Sequence, residues 1–188
     1  WRVQSPDSMG FHSVITPDTA ACRVAQMFRL NLPKGASYHL KDDERELHAV
    51  LIQGRAVIEQ EILGKVQLEK LDSFYIPARH SIQITALEEC IFYIAGAVFD
   101  GIGEPLVRKF DRSLPIGDIH QIHGEGPCRR EVMFTLAPTD KASRLICGLT
   151  WGGDGSWTSW PPHQHEKYLE ESRKHRCVTR ITLIARDT

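Results

Sequence analysis

The sequence contains no long apolar run and no excess of charge of one sign. No segment approaches the ~20 apolar residues that are needed to cross a bilayer, and the N-terminal stretch WRVQSPDSMG has no apolar core of the kind found in signal peptides. The 23 Lys and Arg residues are balanced by 24 Asp and Glu residues, which gives a formal net charge of −1. We therefore expect neither a nucleic-acid partner nor a membrane partner.

Cysteine is present, but not in the patterns that bind metal or build a disulfide framework. The five cysteines are odd in number and widely spaced, and no CxxC motif occurs. This argues against a zinc site made of cysteine thiolates and against a secreted fold held together by disulfides. We interpret them as small core side chains and predict a reducing, cytoplasmic location. They are Cys22, Cys90, Cys128, Cys147 and Cys177.

What the 188 residues do contain is a series of short β-rich runs punctuated by Gly and Pro. A turn-rich stretch at 100–128 has weak apolar periodicity, and we interpret it as a connector between two β sets. Short strands at close spacing predict a sandwich or barrel. The predicted strand regions are 24–32, 48–62, 73–85 and 90–99 in the first set, and 130–137, 143–151 and 177–185 in the second.

Three details of the first set are specific enough to test. Residues 48–62 predict a hairpin that turns at Gln53 and Gly54. The continuous apolar run CIFYIAGAVF at 90–99 predicts a strand that is buried on both faces. The charged run KDDERE at 41–46 predicts a solvated turn.

The stretch WTSWPPHQHEKYLEE at 157–171 carries the chemistry that stands out in this chain. In a strand, His163 and His165 would point to the same face and could share a metal ion. In a helix they would lie ~200° apart and could not share one. Pro161 and Pro162 favour extended backbone, whereas the downstream EKYLEESRKH is rich in helix formers, so the residues alone leave both conformations open.

A carboxylate follows the two histidines. Glu170 lies five residues after His165, an odd offset that requires a turn or bulge if all three side chains are to meet. Neutral imidazoles and a carboxylate are ligands for Zn, Fe, Mn or Ni, and three of them leave coordination positions open for water or substrate. We therefore predict a metal site at His163, His165 and Glu170.

The longer string around these ligands resembles that of the 5-deoxyglucuronate isomerase family of myo-inositol catabolism. It is similar, less closely, to the 5-keto-4-deoxyuronate isomerases of pectin breakdown. The resemblance implies a bicupin with the metal in its C-terminal half, and it favours strand and turn over helix around the ligands. The matching residues are Gly155, Trp157, Thr158, Ser159, Trp160, Pro161, Pro162, His163, His165, Glu166, Leu169, Glu170 and Glu171.

The implied fold class is all-β, a cupin-type double-stranded β-helix (jelly-roll barrel), as a bicupin with a truncated second half. Residues 1–110 would form a cupin-like barrel without a metal motif, because Leu47 stands where that motif has its glutamate. Residues 111–188 would form the connector and a partial C-terminal unit with HxHx4E. The start at Trp1 and the tail after Glu171 lead us to expect a fragment or processed form, in which the family's later histidine ligand is missing.

The implied reaction is an aldose–ketose isomerisation that converts 5-deoxy-glucuronate to 2-deoxy-5-keto-gluconate. A divalent metal, zinc in the first place and Mn, Fe or Ni otherwise, would stabilise the enediolate, with Glu171 as the base. The partner would be a small-molecule sugar acid, and a homo-oligomer is left open. The alternative is a catalytically inactive cupin that binds a sugar acid or a protein partner, because its last metal ligand is missing.

The other histidines and the motif tryptophans have simpler interpretations. We interpret His120 and His123 as solvated histidines of the connector. We interpret His39, His48 and His80 as surface or hydrogen-bonded residues at the barrel mouth. Both tryptophans of the motif, at 157 and 160, are equally compatible with a sugar-binding wall and with core packing.

Overall fold

The computed structural model describes residues 3–20, 24–156 and 179–184, the last of these as backbone. Apart from one short 3-10 turn at Gly126–Cys128, every regular element in these ranges is a β-strand, so the all-β prediction is confirmed. No helix in the described ranges is long and apolar enough to span a membrane. The strands are β1 Gly10–Ile15, β2 Ala25–Leu32, β3 Ser37–Lys41, β4 Arg45–Gln53, β5 Ala56–Gln60, β6 Gly64–Leu68, β7 Ser73–Ile76, β8 Ser81–Ala86, β9 Cys90–Val98, β10 Leu106–Arg108, β11 His120–His123, β12 Arg130–Leu136, β13 Leu145–Gly152 and β14 Thr179–Ile184.

The strands form three sheets. The large sheet has the order β1-β2-β9-β4-β7-β10, and the cover sheet has the order β3-β8-β5-β6. The C-terminal sheet has the order β11-β12-β13-β14. All pairings are antiparallel except that of β14, which runs parallel to β13.

The large sheet and the cover sheet enclose the main apolar core. From β4 to β9 the chain passes repeatedly from one sheet to the other, which is the jelly-roll arrangement predicted for the first half. Alternate side chains of each strand point inwards, so β4 contributes Leu47, Ala49 and Leu51, and β9 contributes Phe92 and Ile94.

The predicted hairpin at Gln53 and Gly54 is wrong, although both of its strands exist. The strand β4 pairs with β7 and β9 in the large sheet, whereas β5 pairs with β6 and β8 in the cover sheet. Gly54 is therefore a crossing point between sheets. Its φ of 85° favours glycine, and a Cβ atom there would lie 2.2 Å from the backbone oxygen of Glu89.

The strand β9 is buried on both faces over residues 94–97, as its apolar run predicts, whereas Ile91 and Tyr93 are half-buried and Val98 is exposed. It lies between β2 and β4 in the middle of the large sheet. One face belongs to the barrel core, and on the other face Ala95 and Ala97 pack against Leu136 and Leu145 of the C-terminal sheet. The large sheet is thus covered on both sides at this part of β9, which explains why residues 94–97 lack the alternation of a half-exposed strand.

A continuous seam joins the C-terminal sheet to the large sheet. Val50 packs with Met133, Leu149 and Trp151 at one end of this seam. The strands of the C-terminal sheet all lie after residue 110, and those of the other two sheets before it. The boundary between residues 110 and 111 as a domain division stays a prediction.

The predicted connector at 100–128 contains more regular structure than its composition suggests. The strand β10 adds to the edge of the large sheet through β7, and β11 adds to the edge of the C-terminal sheet through β12. A close ion pair between Arg108 and Asp140, at 2.6 Å, ties β10 to the loop after β12. The connector therefore contributes one edge strand to each half.

Candidate functional site

The predicted ligands and base lie outside the described residues. These are His163, His165 and Glu170 for the metal and Glu171 for proton transfer. Trp157 and Trp160 of the motif also lie outside the described residues. Their roles stay predictions. Within the described ranges, no group of three or more His, Cys, Asp and Glu side chains could hold a metal ion.

The strands β13 and β14 come before and after the motif segment in the sequence. The strand β13 ends at Gly152 and is followed by a turn in which Ser156 N donates to Gly153 O at 3.0 Å. The strand β14 pairs with β13 from Leu145↔Thr179 to Thr150↔Ile184. Because these strands are parallel, the intervening segment connects the carboxyl end of β13 to the strand that starts beside its amino end.

A charged and aromatic cluster lies at the carboxyl end of β13. Arg112 donates to Glu131 through both Nε, at 3.1 Å, and a terminal nitrogen, at 2.9 Å. The same guanidinium lies 5.0 Å from the ring centroid of Trp151, which in turn contacts the ring of Phe110 at 5.7 Å. Cation–π contact and the bidentate ion pair hold this arginine in one orientation.

Glu131 is the acidic centre of this cluster. Its hydrogen bonds from Arg112 hold the pKa of the carboxyl below its ordinary value, against the opposing effect of partial burial. His120 Nε2 lies 3.1 Å from the same carboxylate, within ion-pair distance. Arg112 therefore keeps Glu131 as a carboxylate, which is suited to holding the guanidinium in place rather than to accepting a proton from a substrate.

The interpretation of His120 and His123 as solvated connector histidines is wrong. Both belong to β11, which pairs with β12. His120 Nδ1 hydrogen-bonds with Leu114 O at 2.6 Å, and His123 Nε2 hydrogen-bonds with Gln121 Oε1 at 2.8 Å. Each ring is half-buried and has a local structural partner.

The three histidines interpreted as surface or barrel-mouth residues, His39, His48 and His80, lie in different environments. His39 is exposed on the outer face of β3 and His80 is half-buried in the turn before β8, which agrees with a surface interpretation. His48 is not at the surface, because it lies on the face of β4 that the C-terminal sheet covers, with 2% of its surface exposed. Burial, with repulsion from Arg108, lowers the pKa of His48 to about 3, although the backbone carbonyl of Thr135 opposes the shift.

Leu47 is the residue that the resemblance aligns with a metal-binding glutamate, and this alignment stays a prediction. Its side chain lies in the barrel core, 2% exposed, among apolar neighbours such as Leu30 and Ile94. An ion at this position would have no polar ligand from residue 47. The first barrel as a metal-free unit stays a prediction.

The charged run at 41–46 is only partly the predicted solvated turn. Asp42 accepts from the backbone N–H groups of Glu44 and Arg45 and does form such a turn. Glu46, however, is completely buried, and its carboxylate contacts the start of β13 in the C-terminal sheet. Sequence reasoning missed this residue, although its position two residues before His48 on β4 shows that both share a face.

Comparison with known proteins places these features in a family. The sequence model of the KduI/IolB family matches residues 2–178. Two curated proteins named 5-deoxy-glucuronate isomerase, from Geobacillus kaustophilus and Geobacillus thermodenitrificans, are 25% and 26% identical over 92% and 91% of this chain. The chain spans 66% of the length of each of them.

One solved structure supports the fold independently. The crystal structure of an IolB-like protein from Salmonella typhimurium LT2 superposes with a TM-score of 0.72, at 21% identity, over 89% of this chain and 66% of that one. The resemblance predicted from residues 155–171 is confirmed at the level of the family. Since the family model matches almost the whole sequence, this chain belongs to the KduI/IolB family.

Proposed function

We propose that this chain is a metal-dependent aldose–ketose isomerase that converts 5-deoxy-glucuronate to 2-deoxy-5-keto-gluconate in myo-inositol catabolism. The observation that carries the proposal is family membership over residues 2–178, a range that includes the whole HxHx4E motif. The names of the two curated relatives support the reaction type. Because the chain spans 66% of their length, the activity and substrate are proposals for this chain.

The donor set fits a divalent metal. His163 and His165 offer neutral imidazole nitrogens, and Glu170 offers a carboxylate. This mixture suits zinc first, with manganese, iron and nickel as the alternatives that metal analysis separates. Three protein ligands leave room for two adjacent oxygens of an open-chain sugar.

The protein residues then have distinct tasks in the proposed reaction. A bound divalent ion would supply Lewis acidity to the substrate carbonyl and the neighbouring hydroxyl. The carboxylate of Glu171 would accept the proton from the hydroxyl-bearing carbon and return it to the former carbonyl carbon, while the proton of the hydroxyl oxygen would move to the former carbonyl oxygen. The substrate's own carboxylate requires an Arg or Lys in the pocket, where a guanidinium would bind it in bidentate fashion.

The direct test combines metal analysis with turnover. The full chain should contain about one tightly bound divalent ion and should isomerise 5-deoxy-glucuronate. His163→Ala and His165→Ala should lose the metal and lower the turnover by about 100-fold or more. Glu171→Gln should keep the metal while kcat falls by about 10²–10⁴-fold.

The matched control is His39→Ala, because His39 is an exposed histidine of the first barrel. This variant should keep both metal content and turnover. A wild-type chain that binds the sugar acid but neither holds metal nor turns the substrate over would contradict the proposal and support an inactive sugar-acid-binding cupin instead. Binding of a protein partner without any sugar-acid binding would support the other form of that alternative.

The cellular setting is part of the same proposal. We propose a cytoplasmic protein, and the free thiols of Cys90, Cys128 and Cys147 support a reducing environment. A small-molecule sugar acid is the proposed partner. A homo-oligomer remains an alternative to a monomer, and sedimentation of the purified chain would distinguish the two.

A further inference from the structure

A small, partly open cavity lies in the seam between the large sheet and the C-terminal sheet. It offers about 10 Å³ for the centre of a water molecule. His48 and Ala95 line it from the large sheet, and Thr135 and Cys147 line it from the C-terminal sheet. The cavity is therefore bounded by both halves of the molecule.

Two polar atoms at this cavity have no hydrogen-bond partner. Within the described ranges, His48 Nε2 and Thr135 Oγ1 are buried side-chain atoms that lack a hydrogen-bond partner. Their residues are 2% and 5% exposed. A buried polar atom without a partner is costly, so two of them beside one cavity point to a shared ligand that is absent from the protein's own side chains.

One small molecule could form hydrogen bonds with both His48 Nε2 and Thr135 Oγ1. The backbone carbonyl of Thr135 acts on the His48 ring as a hydrogen-bond acceptor. Because Nε2 has no partner, the ring proton belongs on Nδ1, and Nε2 is left as an acceptor. The Thr135 hydroxyl can donate and accept, so a molecule that donates to Nε2 and accepts from Oγ1 would satisfy both atoms.

The size and polarity of the cavity select water among such molecules. A space of roughly 10–15 Å³, measured for the water centre, is the smallest that holds one water molecule, and such a water needs two to four polar partners. Burial, reinforced by the negative charge of Glu46, raises the pKa of the Cys147 thiol, so that the sulfur stays protonated and is a poor metal ligand.

We propose that this cavity is a water-binding site in which one ordered water molecule bridges His48 Nε2 and Thr135 Oγ1. The bridge joins β4 of the large sheet to β12 of the C-terminal sheet. It supplements a direct contact at the same place, since Ser73 Oγ of β7 donates to Thr135 O at 3.3 Å. The seam is thus polar at its centre and apolar on either side.

A crystal structure of the full chain, at a resolution that shows ordered water, tests the proposal directly. A density peak should lie within about 2.6–3.2 Å of both His48 Nε2 and Thr135 Oγ1. Absence of a peak that bonds both atoms, in density that defines both side chains, would overturn the proposal. A peak bonded to only one of them would overturn the bridge in the same way.

A pair of substitutions tests whether the Thr135 hydroxyl binds the water. Thr135→Val keeps the branched shape and removes the hydroxyl, whereas Thr135→Ser keeps the hydroxyl. The water peak should disappear in Thr135→Val and persist in Thr135→Ser. A peak that persists unchanged in Thr135→Val would show that the hydroxyl is not a partner, and would contradict the bridge.

Solution measurements keep the proposal testable if the valine variant does not fold. The wild-type chain should show a nuclear Overhauser effect between a long-lived water and the carbon-bound proton of the His48 ring beside Nε2. The nitrogen shifts of the ring should show a neutral imidazole protonated at Nδ1 and hydrogen-bonded at Nε2. A ring without the water cross-peak would contradict the bridge.

Discussion

Tyr75 donates its hydroxyl proton to Glu46 Oε2 at 2.7 Å, with both side chains shut off from solvent. The carboxylate also accepts the backbone N–H groups of Ser143, Arg144 and Leu145 at 2.8, 2.6 and 2.8 Å. Burial, together with this bond, raises the pKa of Tyr75 above its ordinary value, so the phenol remains a donor. One residue of the first barrel thereby holds the beginning of β13.

Substitution of this pair should reveal how strongly it joins the two halves. Glu46→Gln replaces a charge-assisted acceptor with an amide whose own N–H₂ group faces backbone donors, and we expect a loss of about 3–5 kcal/mol in unfolding free energy. Tyr75→Phe should cost about 1–3 kcal/mol. Urea denaturation of both single variants and of the double variant measures these losses in unfolding free energy.

The double-mutant cycle identifies the contact itself. The two losses should be non-additive by at least about 0.5 kcal/mol, because the residues share one hydrogen bond. Glu59→Gln, at an exposed glutamate on the outer face of β5, should change stability by less than about 0.5 kcal/mol. Additive losses for Glu46 and Tyr75 would mean that the observed bond contributes nothing to stability.

The buried His48 should make stability depend on pH. Its folded pKa of about 3 lies below the ordinary value of 6.5, so between these values the unfolded chain binds a proton that the folded chain does not. Stability should therefore fall as pH is lowered through this window, by up to about 1.4 kcal/mol per pH unit from this residue. Denaturation at intervals from about pH 7 to pH 4.5 measures the slope.

His48→Gln should reduce that slope by about one proton, because glutamine does not titrate. His39→Gln, at an exposed histidine, should keep the wild-type slope. An unchanged slope in His48→Gln would show that the buried ring is not the group responsible. The comparison uses slopes, so it stands even though His48→Gln changes the packing of the seam.

Two glycines with similar backbone angles should respond differently to alanine. Gly54 and Gly35 have φ values of 85° and 81°, but a Cβ at Gly54 would meet the Glu89 oxygen at 2.2 Å, whereas a Cβ at Gly35 meets nothing within 4 Å. Gly35→Ala should cost about 1–2 kcal/mol through strain alone. Gly54→Ala should cost at least about 2 kcal/mol more, since the sheet crossing must shift. Equal losses on thermal or chemical denaturation would contradict the crossing point described for Gly54.

Metal binding should also appear as a change in stability. Addition of zinc to the chelator-treated chain should stabilise it by about 2.7 kcal/mol at a free concentration of about 100 times Kd. His163→Ala should lose most of this effect, and His39→Ala should keep it. Equal stabilisation of all three chains would indicate zinc binding away from the predicted ligands.

Much of the fold could be predicted because local patterns reflect local causes. The apolar run at 90–99 marked a doubly buried strand, and Gly and Pro separated the runs that became β7, β8 and β12. The string at 155–171 indicated the family because it combines many specific residues at defined spacing. The roles of His163, His165, Glu170 and Glu171 stay predictions.

The errors at Glu46 and His48 share one physical cause. Along β4, Leu47 and Leu51 face the barrel core while Glu46 and His48 face the other way. An alternating pattern of this kind normally describes a strand with one solvated face. Here the C-terminal sheet covers that face, and it does so through contacts with residues about 100 positions later in the chain, such as the bond from Leu145 N to Glu46.

The sequence by itself determined the strand content, the family and the identity of the candidate ligands, because these depend on residue type and short spacing. Only the tertiary structure shows which strands share a sheet and that the chain crosses from one sheet to the other at Gly54. It alone also shows that Glu46 and His48 are buried. Those outcomes depend on contacts between residues that lie far apart in the sequence, such as the bond from Leu145 N to Glu46. A short stretch of sequence does not show which distant residues it will contact in the folded protein.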